Sequence, residues 1–376
     1  MTAPADALAR WLRYVAALPG ESVALADAVW RVCASDVRSL RDSPPAAVAA
    51  MDGIAVRAAT TAGLRLAAGA YDVVDTGDLL PPGRDAVVVR EQVSYEDGSA
   101  VLTHAAVAGR HVRPRGEYLA AGDLLLPAGR RLRPVDVALA AAGGLVAVPV
   151  RRRPRVVVVP TGDEVVAPGT PAGPGQVLDT NSLMLVALCT GAGAHAWSVD
   201  VVADDPTLLA TAVQAACATA DLVVVGAGSS AGRDDHTATV LASLGELLVH
   251  GVAVRPGHPV ALAVVAGTPV LGSPGYPVAA ALAFDLFTAP LLAALLGTTP
   301  PARPRTTARL SVDLDSPAGV EDWVRVRLDG AGATPLPGGA GRLASLAAAD
   351  GLLRIPAAST AVPAGTLVEI ALLHGT

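Results

Sequence analysis

The chain has 376 residues, of which 52% are hydrophobic and 16% charged, and its formal net charge is −6. That composition excludes intrinsic disorder over most of the length and argues against a nucleic-acid binder, which shows a basic balance or a basic face. All 28 basic residues are arginine, so there is no Schiff-base lysine, no Walker-A lysine and no kinase-type lysine on a strand.

At roughly 100–200 residues per domain the length implies two to four domains. Residues 5–18 follow a helical pattern, with Leu8, Leu12 and Val15 on one face. A second short segment covers residues 23–37, and Ser43-Pro44-Pro45 breaks the chain. From Met51 to Pro127 short β-like runs alternate with Gly and Pro, which predicts a small β domain. Residues 135–142 return to helix. Arg151-Arg152-Arg153 with Arg155 reads as a solvated linker ahead of the next strand.

Val156 to Val159 is an unbroken β-branched run, the pattern of a strand buried on both faces. Strand patterns recur at residues 194–202, 221–225 and 269–271. Helical patterns lie between them at residues 183–190, opened by Asn181, and at residues 207–220 and 235–244. This alternation predicts a doubly wound parallel sheet. Residues 277–296 are apolar enough for a membrane span but contain Asp285 and Pro290, so a buried helix is expected. After a Pro-rich linker at residues 298–304, strand patterns resume in a separate C-terminal β domain. Cys33, Cys189 and Cys217 suit neither a disulfide framework nor a zinc site, and residues 1–13 lack the pattern of a signal peptide; both fit a cytoplasmic protein.

In an open α/β sheet, ligands bind beyond the carboxyl ends of the strands. Three loops leave strand ends here: Thr161 to Glu164, the Gly-rich stretch Gly226 to Gly232, and Gly272 to Pro277. Glycines let backbone N–H groups approach an anion. Asp163, Glu164, Asp204, Asp205, Asp234 and Asp235 lie near the strand ends. Such oxygen ligands suit Mg²⁺, which binds through one or two carboxylates plus ligand phosphates. Asp204 or Asp205 has an equally good role as the cap of the helix after Pro206. Together the loops and carboxylates favour a phosphorylated ligand. The glycines lack dinucleotide spacing, and no Ser-His-Asp triad can be argued.

The motifs together resemble the molybdopterin molybdenumtransferases, the family that includes the E domain of gephyrin. Met51-Asp52-Gly53-Ile54-Ala55 is similar to its M-D-G-[YF]-A segment, and Thr76-Gly77 with Pro82-Gly83 and Asp85 to Val88 to its T-G-x-x-x-P-x-G-A-D-A-V-V. Arg115-Gly116-Glu117, Thr161 to Glu164, Asp179-Thr180-Asn181, Arg255-Pro256-Gly257-His258-Pro259 and Pro274-Gly275-Tyr276-Pro277 follow in the family's order. The resemblance implies a mixed α/β chain of four parts: a helical linker domain (1–50 and 128–150), an inserted β domain (51–127), a central doubly wound α/β molybdopterin-binding domain (151–297) and a C-terminal β-barrel-like domain (305–376). It implies a homodimer with a shared cleft, and Mg²⁺-dependent insertion of molybdate, or tungstate, into adenylylated molybdopterin with release of AMP. A molybdoenzyme or an adenylyltransferase is the partner protein it suggests; neither nucleic acid nor membrane is expected.

Residue by residue, the resemblance gives catalytic roles to Asp52, Glu164, Asp204, Asp235 and Arg255, with Glu164, Asp204 and Asp235 near the metal. It gives ligand contacts to Thr76, Asn181, Gly228, Ser230, Gly232, His258, Pro274, Gly275, Tyr276 and Pro277. Four positions depart from the family pattern. Tyr276 replaces an Asn, His258 and Gly251 stand where lysines are common, and Gly338-Gly339-Ala340-Gly341 replaces Q-G-S-G. These departures leave two alternatives beside the transferase: a non-catalytic cofactor-binding or scaffold paralogue, and a molybdopterin adenylyltransferase.

Overall fold

A computed structural model describes the whole chain except residues 227–235, 331 and 374–376. It divides into two compact units: Met1–Pro19 with Arg151–Thr376, and Gly20–Val150.

In the first unit six strands form one sheet in the order His195–Ser198, Arg155–Pro160, Leu222–Gly226, Thr268–Ser273, Ala261–Val265, Glu246–His250. The first four are parallel. The last two are antiparallel, so the expected purely parallel sheet is in fact mixed. Because strand side chains alternate, one valine run serves two cores. Val156 and Val158 join Leu222, Val224 and Leu271 on one face; Val157 and Val159 join Val223, Val225, Val213 and Leu241 on the other.

The N-terminal helix is Pro4–Leu12, shorter than its apolar pattern. Beyond it the chain extends so that the Leu18 N–H reaches the Leu295 carbonyl at 2.8 Å. Trp11 is fully buried, and its Nε1–H donates to the Ala263 carbonyl at 3.0 Å. The helix after the first strand is Thr180–Gly191. Its cap is Asp179, whose carboxylate accepts from the Ser182 N–H, rather than Asn181. Asp205, not Asp204, caps Pro206–Cys217 by accepting from the Thr207 and Leu208 N–H groups. The next helix is Thr237–Leu244.

The long apolar helix runs Pro277–Ala283, then one π turn at Phe284–Thr288, then Ala289–Leu295. Two thirds of it is buried inside the protein, as a core helix is. Asp285 sits on the π turn and takes Arg303 of the linker at 2.7 and 2.8 Å. The arginines before the first strand also differ from expectation. Arg152 makes two hydrogen bonds to Asp221 at 2.8 and 2.9 Å, and Arg155 stands 3.8 Å from the same carboxylate, so the cluster ties down a strand end.

The C-terminal strands Glu321–Asp329, Gly332–Pro335, Arg305–Leu310, Leu367–Leu372 and Gly351–Ile355 form a ring, closed by pairing of the first with the last. Its interior holds Leu310, Val326, Leu353, Ile355 and Ile370. The two-residue strand Val254–Arg255, from between the sheet's two antiparallel strands, adds to this barrel, with Arg255 in register with Asp322.

The second unit is mostly short antiparallel strands. Tyr71–Val74, Gly53–Val56 and Ala86–Val89 make one three-stranded sheet. Gly53 is obligatory there, since a Cβ would lie 2.0 Å from the Val88 carbonyl oxygen. The helix Pro134–Ala142 opens at Asp136, 2% exposed and bonded to Arg130 and Arg133 at 2.7 and 3.1 Å. The unit's first and last strands, Gly20–Ala24 and Ala147–Arg151, pair with each other. Just outside them, the Arg152 N–H donates to the Pro19 carbonyl at 3.0 Å.

Candidate active-site cleft

A cleft of about 1030 Å³ opens in the first unit between the α/β sheet and the barrel. One wall is Arg255 to Pro259 with Pro274, Gly275 and Tyr276; the other is Asp322 to Arg325 with Gly338 to Ala340. Of the three loops expected at the ligand, Gly272 to Pro277 lines this cleft, through Pro274, Gly275 and Tyr276. The Arg255–His258 and Pro274–Tyr276 segments converge on the cleft. Gly228, Ser230, Gly232 and Asp235 lie outside the described residues. Pro277 starts the core helix one residue beyond the cleft wall.

Arg255 reaches the cleft because its short strand is held in the barrel's ladder. Its Nε is 3.8 Å from a carboxylate oxygen of Asp322, a contact too long for a hydrogen bond. Asp322 is 4% exposed. Burial pushes its carboxyl up, and Arg255 and the Trp323 N–H offset that only in part. His258 is exposed beside Arg255.

The sequence pattern missed the other cation. Arg325 is 5% exposed, and its Nη2 donates to the Pro337 and Gly339 carbonyls at 3.2 and 3.3 Å. Its Nε is buried with no partner, and among the described residues no carboxylate pairs with it. Burial, then the neighbouring Arg342, push it below the usual guanidinium range. A buried charge is costly unless it is paired, and this guanidinium lines the cleft. Nothing in Asp322-Trp323-Val324-Arg325 announces this; the barrel's closure buries the position. Pro256, Trp323 and Arg325 also line a second, apolar cavity of about 270 Å³ behind the wall.

The acidic set stands at the strand ends. The Asp204 N–H donates to Asp163 at 3.1 Å, and the Asp163 N–H points back to Asp204 at 3.4 Å. This exchange joins the loop bearing half-buried Glu164 to the loop bearing exposed Asp204. Among the described residues no group of three or more metal-ligating side chains comes together. Two hard oxygen donors on adjoining loops nevertheless fit Mg²⁺, which completes its shell with water and phosphate. Asn181 Nδ2 donates to the Gly275 carbonyl at 2.7 Å, fixing the third loop from behind, while its Oδ1 is buried without a partner.

Asp52 and Thr76 belong to the second unit. Both the Thr76 N–H and its hydroxyl donate to Asp52 Oδ1 at 2.7 Å. These bonds hold the Asp52 carboxyl below the usual range.

A mixed, mostly parallel α/β sheet joined to a closed barrel, with Arg255 and Arg325 on the cleft where they meet, is the architecture of an α/β protein that binds an anionic ligand. Three family models cover the chain. They are the MoeA N-terminal region (domains I and II) over residues 2–144, a probable molybdopterin binding domain over 157–294, and the MoeA C-terminal region (domain IV) over 307–373. The chain belongs to the MoeA family. It is 34% identical over 383 residues to molybdopterin molybdenumtransferase 2 of Mycobacterium tuberculosis, covering 93% of this chain and 94% of that one. It is 31% identical to the Haemophilus influenzae molybdopterin molybdenumtransferase over 74% of this chain and 73% of that one. The crystal structure of a molybdopterin biosynthesis MoeA protein from Pyrococcus horikosii superposes with a TM-score of 0.90 at 32% identity over all of both chains.

Proposed function

We propose that this chain acts in molybdenum cofactor biosynthesis as a molybdopterin molybdenumtransferase, inserting molybdate or tungstate into adenylylated molybdopterin and releasing AMP. The observation that carries the reading is Arg325, a buried guanidinium without a carboxylate in a cleft of substrate size. Insertion brings an anionic oxide to an anionic ligand, so the chemistry is charge management. Arg255 and Arg325 bind the anionic groups; Asp322 beside Arg255 limits how far that cation strays. Glu164 and Asp204, with Asp235, would hold Mg²⁺, which would supply positive charge to the ligand's phosphates. Asp52, kept ionised by Thr76, faces the cleft of the other subunit in a homodimer. The protein works in the cytoplasm and hands its product to a molybdoenzyme.

The test is AMP release from adenylylated molybdopterin with Mg²⁺, across molybdate and tungstate titrations. Release that depends on the oxyanion supports the reading, and AMP no higher than background at every concentration sinks it. A second reading, cofactor binding without turnover, is favoured by the Gly338–Gly341 loop, which brings no side-chain hydroxyl to the cleft. It predicts tight binding of the pterin in the same assay with no AMP.

A further inference from the structure

We infer that Tyr276 is an aromatic platform on which the planar heterocycle of the ligand stacks, and that Gly341 is the seat that makes room for it. The inference rests on the functional reading above and assigns the part of the cleft that the arginines do not serve.

Tyr276 is the residue before the core helix, and its carbonyl accepts the Ala280 N–H at 2.9 Å, so its backbone is fixed. Tyr276 lines the cleft and the residue is 47% exposed. One edge of the ring, Cδ1 and Cε1, lies beside Gly341 of the C-terminal domain. A Cβ built on Gly341 would meet the ring's Cδ1 at 3.2 Å and Cε1 at 3.5 Å, so any larger residue there pushes the ring. Gly341 shows no left-handed backbone, so a side chain there is limited by its contact with the Tyr276 ring and not by backbone strain. The neighbouring peptide is locked to the helix, with the Val278 N–H donating to the Ala340 carbonyl at 3.0 Å. The two sequence departures at 276 and 338–341 are therefore one structural unit: a tyrosine set on a glycine loop.

An exposed aromatic residue on the wall of a largely apolar cleft offers flat ring systems a surface to stack on. Guanidinium groups on the same cleft at Arg255 and Arg325 add an anion requirement. The ligand class is a fused planar heterocycle carrying an anion, either the purine of the adenylate or the pterin.

The experiment is calorimetric binding to the full-length protein of AMP and of ribose 5-phosphate, which share the phosphate and differ in the base. Pterin-6-carboxylate serves as a second planar anion. Wild type should prefer AMP to ribose 5-phosphate. Tyr276→Leu should weaken AMP, pterin-6-carboxylate or both about tenfold, which is about 1.4 kcal/mol, and leave ribose 5-phosphate unchanged. Tyr276→Phe should keep the preference, and Gly341→Ala should erode it. Loss confined to one planar probe supports the platform and identifies its ring. Undiminished affinity of Tyr276→Leu for both overturns it. If wild type binds none of the three, the functional reading fails and takes this inference with it.

Discussion

Single side chains carry the site's electrostatics, and they make opposite predictions for stability and binding. Arg325 is buried without a counter-charge. Its replacement removes a desolvation cost, so Arg325→Met should leave the melting temperature unchanged or raise it. The same change should weaken phosphate binding at least tenfold; calorimetry beside a thermal melt reads both. Asp136 behaves in the other way. The Arg133 guanidinium, with Arg130 beside it, holds the Asp136 carboxyl well below the usual carboxylate range. Its depressed folded value means that the stabilisation is present above the unfolded pKa of about 3.9 and is lost as pH falls below it. Asp136→Ala should therefore cost about 3 kcal/mol at pH 7, and the gap from wild type should narrow in urea unfolding at low pH. A gap that does not change with pH would remove the ion pair as its cause.

At the scale of elements, the valine run at 156–159 and the Asp-Pro pair before residue 207 placed a strand and a helix start almost to the residue. Their signals are local: β-branched continuity and a capping carboxylate. The antiparallel strands Glu246–His250 and Ala261–Val265 escaped the pattern, because Gly and Pro between them look like loop and their pairing is with distant chain. The π turn at Phe284–Thr288 is equally silent in an apolar run, since it is one extra residue per turn beside a half-buried carboxylate. Asp204 and Asp205 could not be told apart by sequence, as either suits a cap; hydrogen bonds assign the cap to Asp205. The N–H groups of Leu208 and Thr207 hold the Asp205 carboxyl below its usual range. Asp205→Ala, by removing the helix cap, should lower the melting temperature and leave ligand binding intact. Asp204→Ala should spare the melt and abolish the Mg²⁺ dependence of AMP release. A reversed pattern would exchange the two roles.

Over the whole molecule, the order of motifs along the chain made the family legible, while the cleft was legible only in part. Its Arg255 and Tyr276 wall sits in recognisable sequence, but the facing wall of Asp322, Trp323 and Arg325 depends on a barrel closing. The division into two units has its own consequence. The chain leaves the first unit at Pro19 and re-enters it at Arg151, and the next residue's N–H, that of Arg152, donates to the Pro19 carbonyl. The stretch from 20 to 150 begins and ends in two strands that pair with each other. Joining ends this close takes a turn of only about two to four residues and little loop entropy. Residues 20–150 are in that sense a removable cassette. A chain with a short turn in their place should fold and still bind phosphate at Arg325, while losing every step that needs Asp52. Such a deletion would turn an enzyme into its own bare anion receptor, and a spliced protein that fails to bind phosphate would show that the cassette is part of the cleft's foundation.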